Sequence, residues 1–332
     1  MRALQPIVMV AFAATLLTAC GGDDTSAPAG AQQVATGQGS DGSLLSLPQA
    51  QQGAEQWWSE HEQALLQRDA QAMAHVDAEP LALVELEVLR AARATNQAVI
   101  SGTRQPSATR VHVAAEQSWP VPVLAVYDVP AGSGTQHFAV LLSKLNPSGR
   151  LVATASAALD AAEPAFDTDA AGYVHMGAPA NQLAATWAQW MQATVHGSPA
   201  PNPAPFAAGK FTSDAATADA GLLHDPAGHS HSSLSAVDFD YAPVAMPEPV
   251  FTLAGGRGGF TILAERRGET LHPNQGQALL QDGQRRNYGV DLAPGQYQQI
   301  TIQSVVLLAT RIPQDRSPAE VIGNGGGIYQ EG

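Results

Sequence analysis

The densest run of metal-ligating side chains is His224-Asp225-Pro226-Ala227-Gly228-His229-Ser230-His231. Neutral imidazoles and a carboxylate suit zinc, nickel or copper. Proline and glycine place the run in a loop, however, so no regular element fixes the ligands, and no group can be named that would orient the imidazoles. A solvated loop with weak attraction for metals is the favoured reading, and no resident metal or other cofactor is expected. Gly228-His229-Ser230-His231-Ser232 begins like a nucleophile elbow, but its last position is serine and no strand leads into it. Gly255-Gly256-Arg257-Gly258-Gly259 has the glycine content of a phosphate cradle, yet both flanks read as strands, whereas a cradle opens onto a helix N-terminus. A turn needing positive φ is the simpler account. Gly209-Lys210 lacks the upstream glycine spacing of a phosphate loop and is followed by Phe211 rather than a hydroxyl residue. Asp238-Phe239-Asp240-Tyr241 puts two carboxylates on one strand face, suited to a hard cation or split acid and base roles, and a solvated edge face is preferred. His61 lies on the apolar stripe between Trp57 and Leu65, where a core or boundary histidine is favoured over a pocket-lining one. Trp57, Trp58, Trp187 and Trp190 fall at helical core spacing, whereas a carbohydrate platform would need them exposed. No catalytic set converges.

The 332 residues carry 16 Lys+Arg against 30 Asp+Glu. An acidic, sparsely charged surface argues against nucleic acid as a partner and against electrostatic attraction to anionic lipid. The 45% hydrophobic content permits an ordinary core. There is 1 cysteine, Cys20, so an intrachain disulfide or a thiolate cluster is excluded.

That cysteine ends a patterned stretch. Arg2 supplies a positive start, Ile7 to Leu17 an apolar run, and Thr18 and Ala19 are small. Charge, apolar run and small residues are the layout of a secretory signal, and the run is too short for a permanent span. Leu17-Thr18-Ala19-Cys20 resembles the lipobox of a bacterial lipoprotein. The resemblance implies removal of residues 1–19, acylation of Cys20 as the lipid-attachment residue, and stable anchoring by several acyl chains. Residues 1–19 contain one cation, Arg2, so the chain from Cys20 carries 15 cations against 30 anions, net −15. The lipid would therefore be the membrane contact. Gly21, not aspartate, follows the cysteine, which by the same resemblance favours the periplasmic face of the outer membrane in a diderm host, otherwise the outer face of the cell membrane.

Residues 20–52 are mostly small and polar and read as a disordered tether. A first α+β unit is expected over 53–178. Its helix carries Trp57, His61, Leu65, Arg68 and Ala72; a second begins near Pro80, with Leu81, Val84, Val88, Leu89 and Ala92 as its stripe. Four strands follow near 110–113, 121–129, 137–145 and 150–156, the last two joined by Asn146-Pro147-Ser148-Gly149. A second α+β unit is expected over 179–312: a helix with Leu183, Trp187, Trp190, Met191 and Val195, a short helix capped by Thr212-Ser213-Asp214, a polar loop, a hairpin over 249–253 and 259–265, and a strand over 297–309. Residues 313–332 read as a flexible tail, with 323–327 disordered.

Helices then strands, twice over, predict an α+β fold of two related helix-then-antiparallel-sheet units packed side by side. The order resembles the cone-shaped fold of ketosteroid isomerase and its non-enzymatic relatives. The strand segments Val121–Tyr127, His137–Leu142 and Gly149–Ser156, with Phe206–Ser213 and Thr252–Gly256, resemble a family of bacterial lipoproteins carrying a domain of unknown function. The chain lacks the arginine-tryptophan pair expected by that likeness at Gln136-His137. The expectation is a lipid-anchored envelope protein that binds or scaffolds, its partner an envelope protein or a small molecule. The alternative is an enzyme or small-molecule carrier with an interior cone pocket.

Overall fold

The computed structural model describes residues 44–132, 134–180, 182–225, 234–273, 278–279 and 296–331. Its first helix, α1 (Leu47–Gln67), is started by a capping box. Ser46 Oγ accepts from the Gln49 amide at 3.4 Å, and Gln49 Oε1 accepts from the Ser46 amide at 3.0 Å. Order thus begins before Gly53: residues 47–52, expected to belong to a tether, are the first turns of α1. Arg68, at φ 55°, ends α1, and Asp69 caps the short α2 (Ala70–Val76) through the Gln71 and Ala72 amides. Helix α3 (Leu81–Thr95) follows Pro80.

The strands β1 (Ala108–Val113), β2 (Val121–Ala131), β3 (Gly134–Lys144) and β4 (Leu151–Leu159) form an antiparallel meander. After α4 (Leu183–Val195) and α5 (Ser213–His224) come β5 (Leu234–Pro243), β6 (Phe251–Thr252), β7 (Gly259–Pro273), β8 (Ala278–Leu279), β9 (Gln296–Tyr297), β10 (Ile300–Ile312) and β11 (Glu320–Glu331). The fold is α+β, but one sheet of nine strands runs through both halves, in the order β1-β2-β3-β4-β11-β10-β7-β5 with β6 added to β7; β8 and β9 pair separately.

Two cores result. Trp57, Trp58, Leu65, Met73 and Leu89 of the first helices pack with Val123, Ala125, Tyr127 and Val140. The Tyr127 hydroxyl donates to the Ala54 carbonyl at 2.8 Å, and its ring lies 4.5 Å from that of Trp58. The second core joins Trp187, Trp190 and Met191 of α4 to Val237, Phe239 and Tyr241 of β5. β7 serves both, with Phe260, Ile262 and Ala264 in the first and Leu263 and Leu271 in the second. Its alternation therefore reads apolar on both sides.

The C-terminal stretch expected as a tail is β11, seated between β4 and β10. Its glycines, which suggest disorder in the sequence, permit close backbone approach. A Cβ at Gly323 would lie 2.4 Å from the Ala158 carbonyl oxygen, and one at Gly325 would lie 2.0 Å from that of Ser156. The stretch expected as a polar loop after α5 contains β5, with Val237, Phe239 and Tyr241 buried.

Both sheet edges are closed by side chains or neighbouring chain, as an unpaired strand edge invites pairing. At β1, the Gln51 amide donates to the Thr109 carbonyl at 3.2 Å, and Val174 exchanges backbone hydrogen bonds with Val113 and Ala115. At β5, Gln192 Oε1 accepts from the Tyr241 amide at 3.2 Å, His196 Nε2 donates to the Phe239 carbonyl at 2.9 Å, and Asp238 accepts from the Phe239 amide.

Candidate functional site

On β7, the side chains of Thr261, Leu263, Glu265, Arg267 and Glu269 alternate onto the face covered by α4 and α5. Arg267 is fully engaged there. It donates to both oxygens of Asp219 on α5, at 3.0 and 2.7 Å, and to Glu269 at 2.9 Å, with its guanidinium 4.6 Å from the Phe239 ring centre. The Tyr241 hydroxyl donates to Asp219 Oδ2 at 2.5 Å. Burial, then the Asp219 charge, pushes the Tyr241 phenol well above its ordinary range.

Glu265, one alternation along the same face, differs. Its side chain is fully buried and neither carboxylate oxygen has a hydrogen-bond partner. Burial and then the charge of Glu248, in the loop after β5, push its carboxyl up to about 9. Burial pushes Glu248 up to about 7, and its Oε2 is also buried and unpartnered. Thr261 Oγ1, 1% exposed as a residue, adds a further unpartnered polar atom on that face of β7, and Trp187 Nε1 adds another on α4. Burying a polar group without a hydrogen-bond partner costs about 1–3 kcal/mol, and more if it is charged.

Beside this face a groove of about 550 Å³ runs between α4 and the edge of β5. Ala185, Ala188 and Ala193 form its apolar wall, and Gln192, Tyr241 and Pro243 lie opposite or along it. Pro243 is the register partner of Glu265, so the acid stands one strand inboard of the groove. The volume falls within the range of small-molecule sites, although the groove is open along one side rather than enclosed. The β5 backbone groups near the groove are held by Gln192 and His196, so what remains for recognition is side-chain chemistry.

Comparison with protein-family models, curated proteins and solved structures found no match.

A second buried ionic site lies under the first helices. His61, stacked on Trp57 at 4.8 Å, places Nε2 3.7 Å from Asp77 and 3.8 Å from Glu85. Burial alone would lower the imidazole, but the charges of Asp77, Glu85 and Glu62 outweigh it and raise His61 to about 9. Burial raises Asp77 to about 7 against the pull of His61, while Trp57 Nε1 donates to its Oδ1 at 3.1 Å. His61 is thus an interior ion-pair partner between helices, 8% exposed, rather than a group lining a pocket between helix and sheet. A third group joins β1, β2, β3 and residue 163. Arg110 forks onto both Asp128 oxygens at 2.7 and 2.8 Å and reaches Glu163 at 2.8 Å, and His137 contacts Asp128 at 2.6 Å. The hydrogen bonds from Arg110, opposed by burial and aided by His137, lower the Asp128 carboxyl to about 2, the mark of a committed ion pair.

The other sequence candidates are dispersed. His224 ends α5 and Asp225 follows it, while residues 226–231 lie outside the described residues, as does Cys20. Among the described residues no group of three or more His, Cys, Asp or Glu is placed to hold a metal ion. Gly255, Gly256 and Gly258 adopt positive φ in the turn from β6 to β7, as a turn rather than a phosphate cradle requires. Thr212 makes no side-chain cap of α5 and instead donates to the Ala207 and Gly209 carbonyls. Asp238 and Asp240 do share the exposed face of the edge strand, with Asp240 accepting from Arg266 at 2.8 Å. The four tryptophans are buried. Glu265 and Glu248 escape sequence reading because Glu265 sits where the hairpin strand was expected to end, and a strand end reads as solvent.

Proposed function

We propose that this chain is a lipid-anchored envelope protein whose folded body binds a small molecule, its anchor at Cys20 and its ligand surface along the α4–β5 groove. Support for the anchor is the Leu17–Cys20 pattern, and no helix among the described residues is long and apolar enough to cross a membrane. Support for binding rests on one observation, a groove of about 550 Å³ with an unpartnered, fully buried Glu265 one strand behind it. The descent of the body from two side-by-side helix-then-sheet units is part of the same proposal, supported by the order of elements: α1 to α3 before four strands, then α4 and α5 before the rest.

Two experiments test it. Cys20→Ala should release the protein from membranes and abolish acyl labelling; an unchanged membrane partition overturns the anchor. A soluble form beginning after Cys20, purified without denaturant, should retain a small molecule in native mass spectrometry. A clean apo mass that also shows no stabilisation across a metabolite panel overturns the binding reading and leaves scaffolding as the role.

A further inference from the structure

We propose that the corner joining α2 to α3 is a proton-operated latch: as an imidazolium, His61 clasps Asp77 and Glu85 together, and loss of its proton frees the corner from the edge of β4. The latch is independent of the groove and of any ligand there.

Three elements meet at His61 Nε2. α1 supplies the ring, the corner supplies Asp77 Oδ2 at 3.7 Å, and α3 supplies Glu85 Oε1 at 3.8 Å. Both separations exceed hydrogen-bond length, and the two ring nitrogens and Asp77 Oδ2 are buried without hydrogen-bond partners. Charge therefore holds the three together, and a neutral ring leaves no hydrogen bond in its place. Among the described residues no other cation is paired with Asp77 or Glu85. On α1, Glu62 is taken by Arg104, and Arg68 donates to the Ala92 and Gln97 carbonyls. On α3, Arg90 pairs with Glu87 and Arg93 is exposed; His75 of α2 and Glu79 of the corner are exposed as well. β4 carries no titratable side chain, and β11 lies against α3 at Gly327, beside Val84.

The corner is otherwise lightly held. Trp57 Nε1 divides its hydrogen between Asp77 Oδ1 and the Val76 carbonyl, at 3.1 Å each. The Ala78 amide donates to the Ala153 carbonyl at 2.7 Å, where Asp77 bridges to β4. That contact covers an edge of β4 that β11 reaches only at Ala158 and Leu159, and an uncovered edge invites pairing. Without the imidazolium charge, two buried carboxylates face one another across a neutral ring, and the corner is the piece that yields. Both titrations drive it the same way. The neighbouring acids raise His61 from 6.5 to about 9 despite its burial, and burial raises Asp77 from 3.8 to about 7. The closed corner thus binds protons that the open one gives up, so opening is favoured as pH rises. The two windows overlap near neutrality, where opening grows about hundredfold between pH 6.5 and 8.5.

The test is hydrogen exchange of the soluble form beginning after Cys20, read by mass spectrometry at pH 6.5, 7.5 and 8.5 and corrected for the base-catalysed rate of free peptide. Peptides spanning 74–84 should lose protection about hundredfold over that range, while those of β2 and β3 keep theirs. His61→Gln should open the corner already at pH 6.5, with protection at least tenfold lower. Asp77→Asn combined with Glu85→Gln removes both acids and preserves their shapes, and should give a closed corner whose protection is flat in pH. Thermal melting verifies that the variants fold, and if His61→Gln does not, the double variant decides. A loss shared equally by β2 and β3 is global unfolding and overturns the latch. So does wild-type protection that ignores pH, or a decline that persists in the double variant.

Discussion

The acids Asp219 and Glu265 lie on the same side of one sheet, within the same core, yet have opposite surroundings. Asp219 has two hydrogen bonds from Arg267 and one from Tyr241. Glu265 has none. Asp77, under the first helices, falls between them, with His61 at ion-pair distance and one hydrogen bond from Trp57. A buried carboxylate whose counter-ion comes from its own chain serves architecture. One that lacks a counter-ion stays protonated or awaits a cation from outside.

The largest effect that would sharpen this contrast is expected from Arg267→Met. It strands Asp219 and Glu269 without their cation, and breaking a buried pair from one side costs about 3–5 kcal/mol. Urea unfolding at pH 7 measures it. A loss below about 1 kcal/mol would place the Asp219 network among surface ion pairs and erase the comparison. Next comes His61→Leu, expected to cost about 2 kcal/mol at pH 6. A histidine whose folded value is raised from 6.5 to about 9 contributes stability that is fully present below 6.5 and is lost as pH rises through 9. The variant should accordingly approach wild type near pH 9.5, and a pH-independent deficit would reduce His61 to packing. The smallest and opposite effect is expected from Glu265→Gln. A carboxyl raised from 4.5 to about 9 holds its proton in the folded chain while the unfolded chain has lost it, so wild type loses stability between those values as pH rises. The variant should match wild type at pH 4.5 and exceed it by about 2 kcal/mol at pH 8. If thermal melting shows destabilisation at pH 8 instead, Glu265 has an interior partner and the two acids are alike.

The elements that follow a single periodicity were legible in the sequence. The stripe from Trp57 to Leu65, the four-strand meander and the Trp187–Val195 helix appear near their expected positions, because each presents one apolar face to one core, whereas the helix expected to continue through Arg68 and Ala72 breaks at Arg68 into α1 and α2. Legibility failed where a strand is covered on both sides or is built without side chains. β7 runs on to Pro273 past the expected end at Glu265, because α4 and α5 cover a face that would otherwise be wet. β11 consists largely of glycine in its middle, and glycine in a sequence signals both a flexible tail and a backbone pressed against its neighbour. The Ser46–Gln49 box was readable in Ser-Leu-Pro-Gln but lies in a polar stretch that suggests a tether. His61 was visible from its stripe, whereas its partners Asp77 and Glu85 follow from helix packing that spacing alone does not give.

The position of β11 also fixes an order of assembly. β4 and β10 cannot be joined until residues 320–331 arrive between them, and the direct seam to β4 is short, pairing Gly323 with Leu159 and Asn324 with Ala158. Every other described strand precedes it in the chain. Until it docks, each half-sheet carries an open edge able to pair with a neighbouring chain. A chain that emerged unfolded across a membrane would hold two unclosed edges through nearly the whole of its passage, and its vulnerability to self-association would end with the seating of one glycine-rich strand.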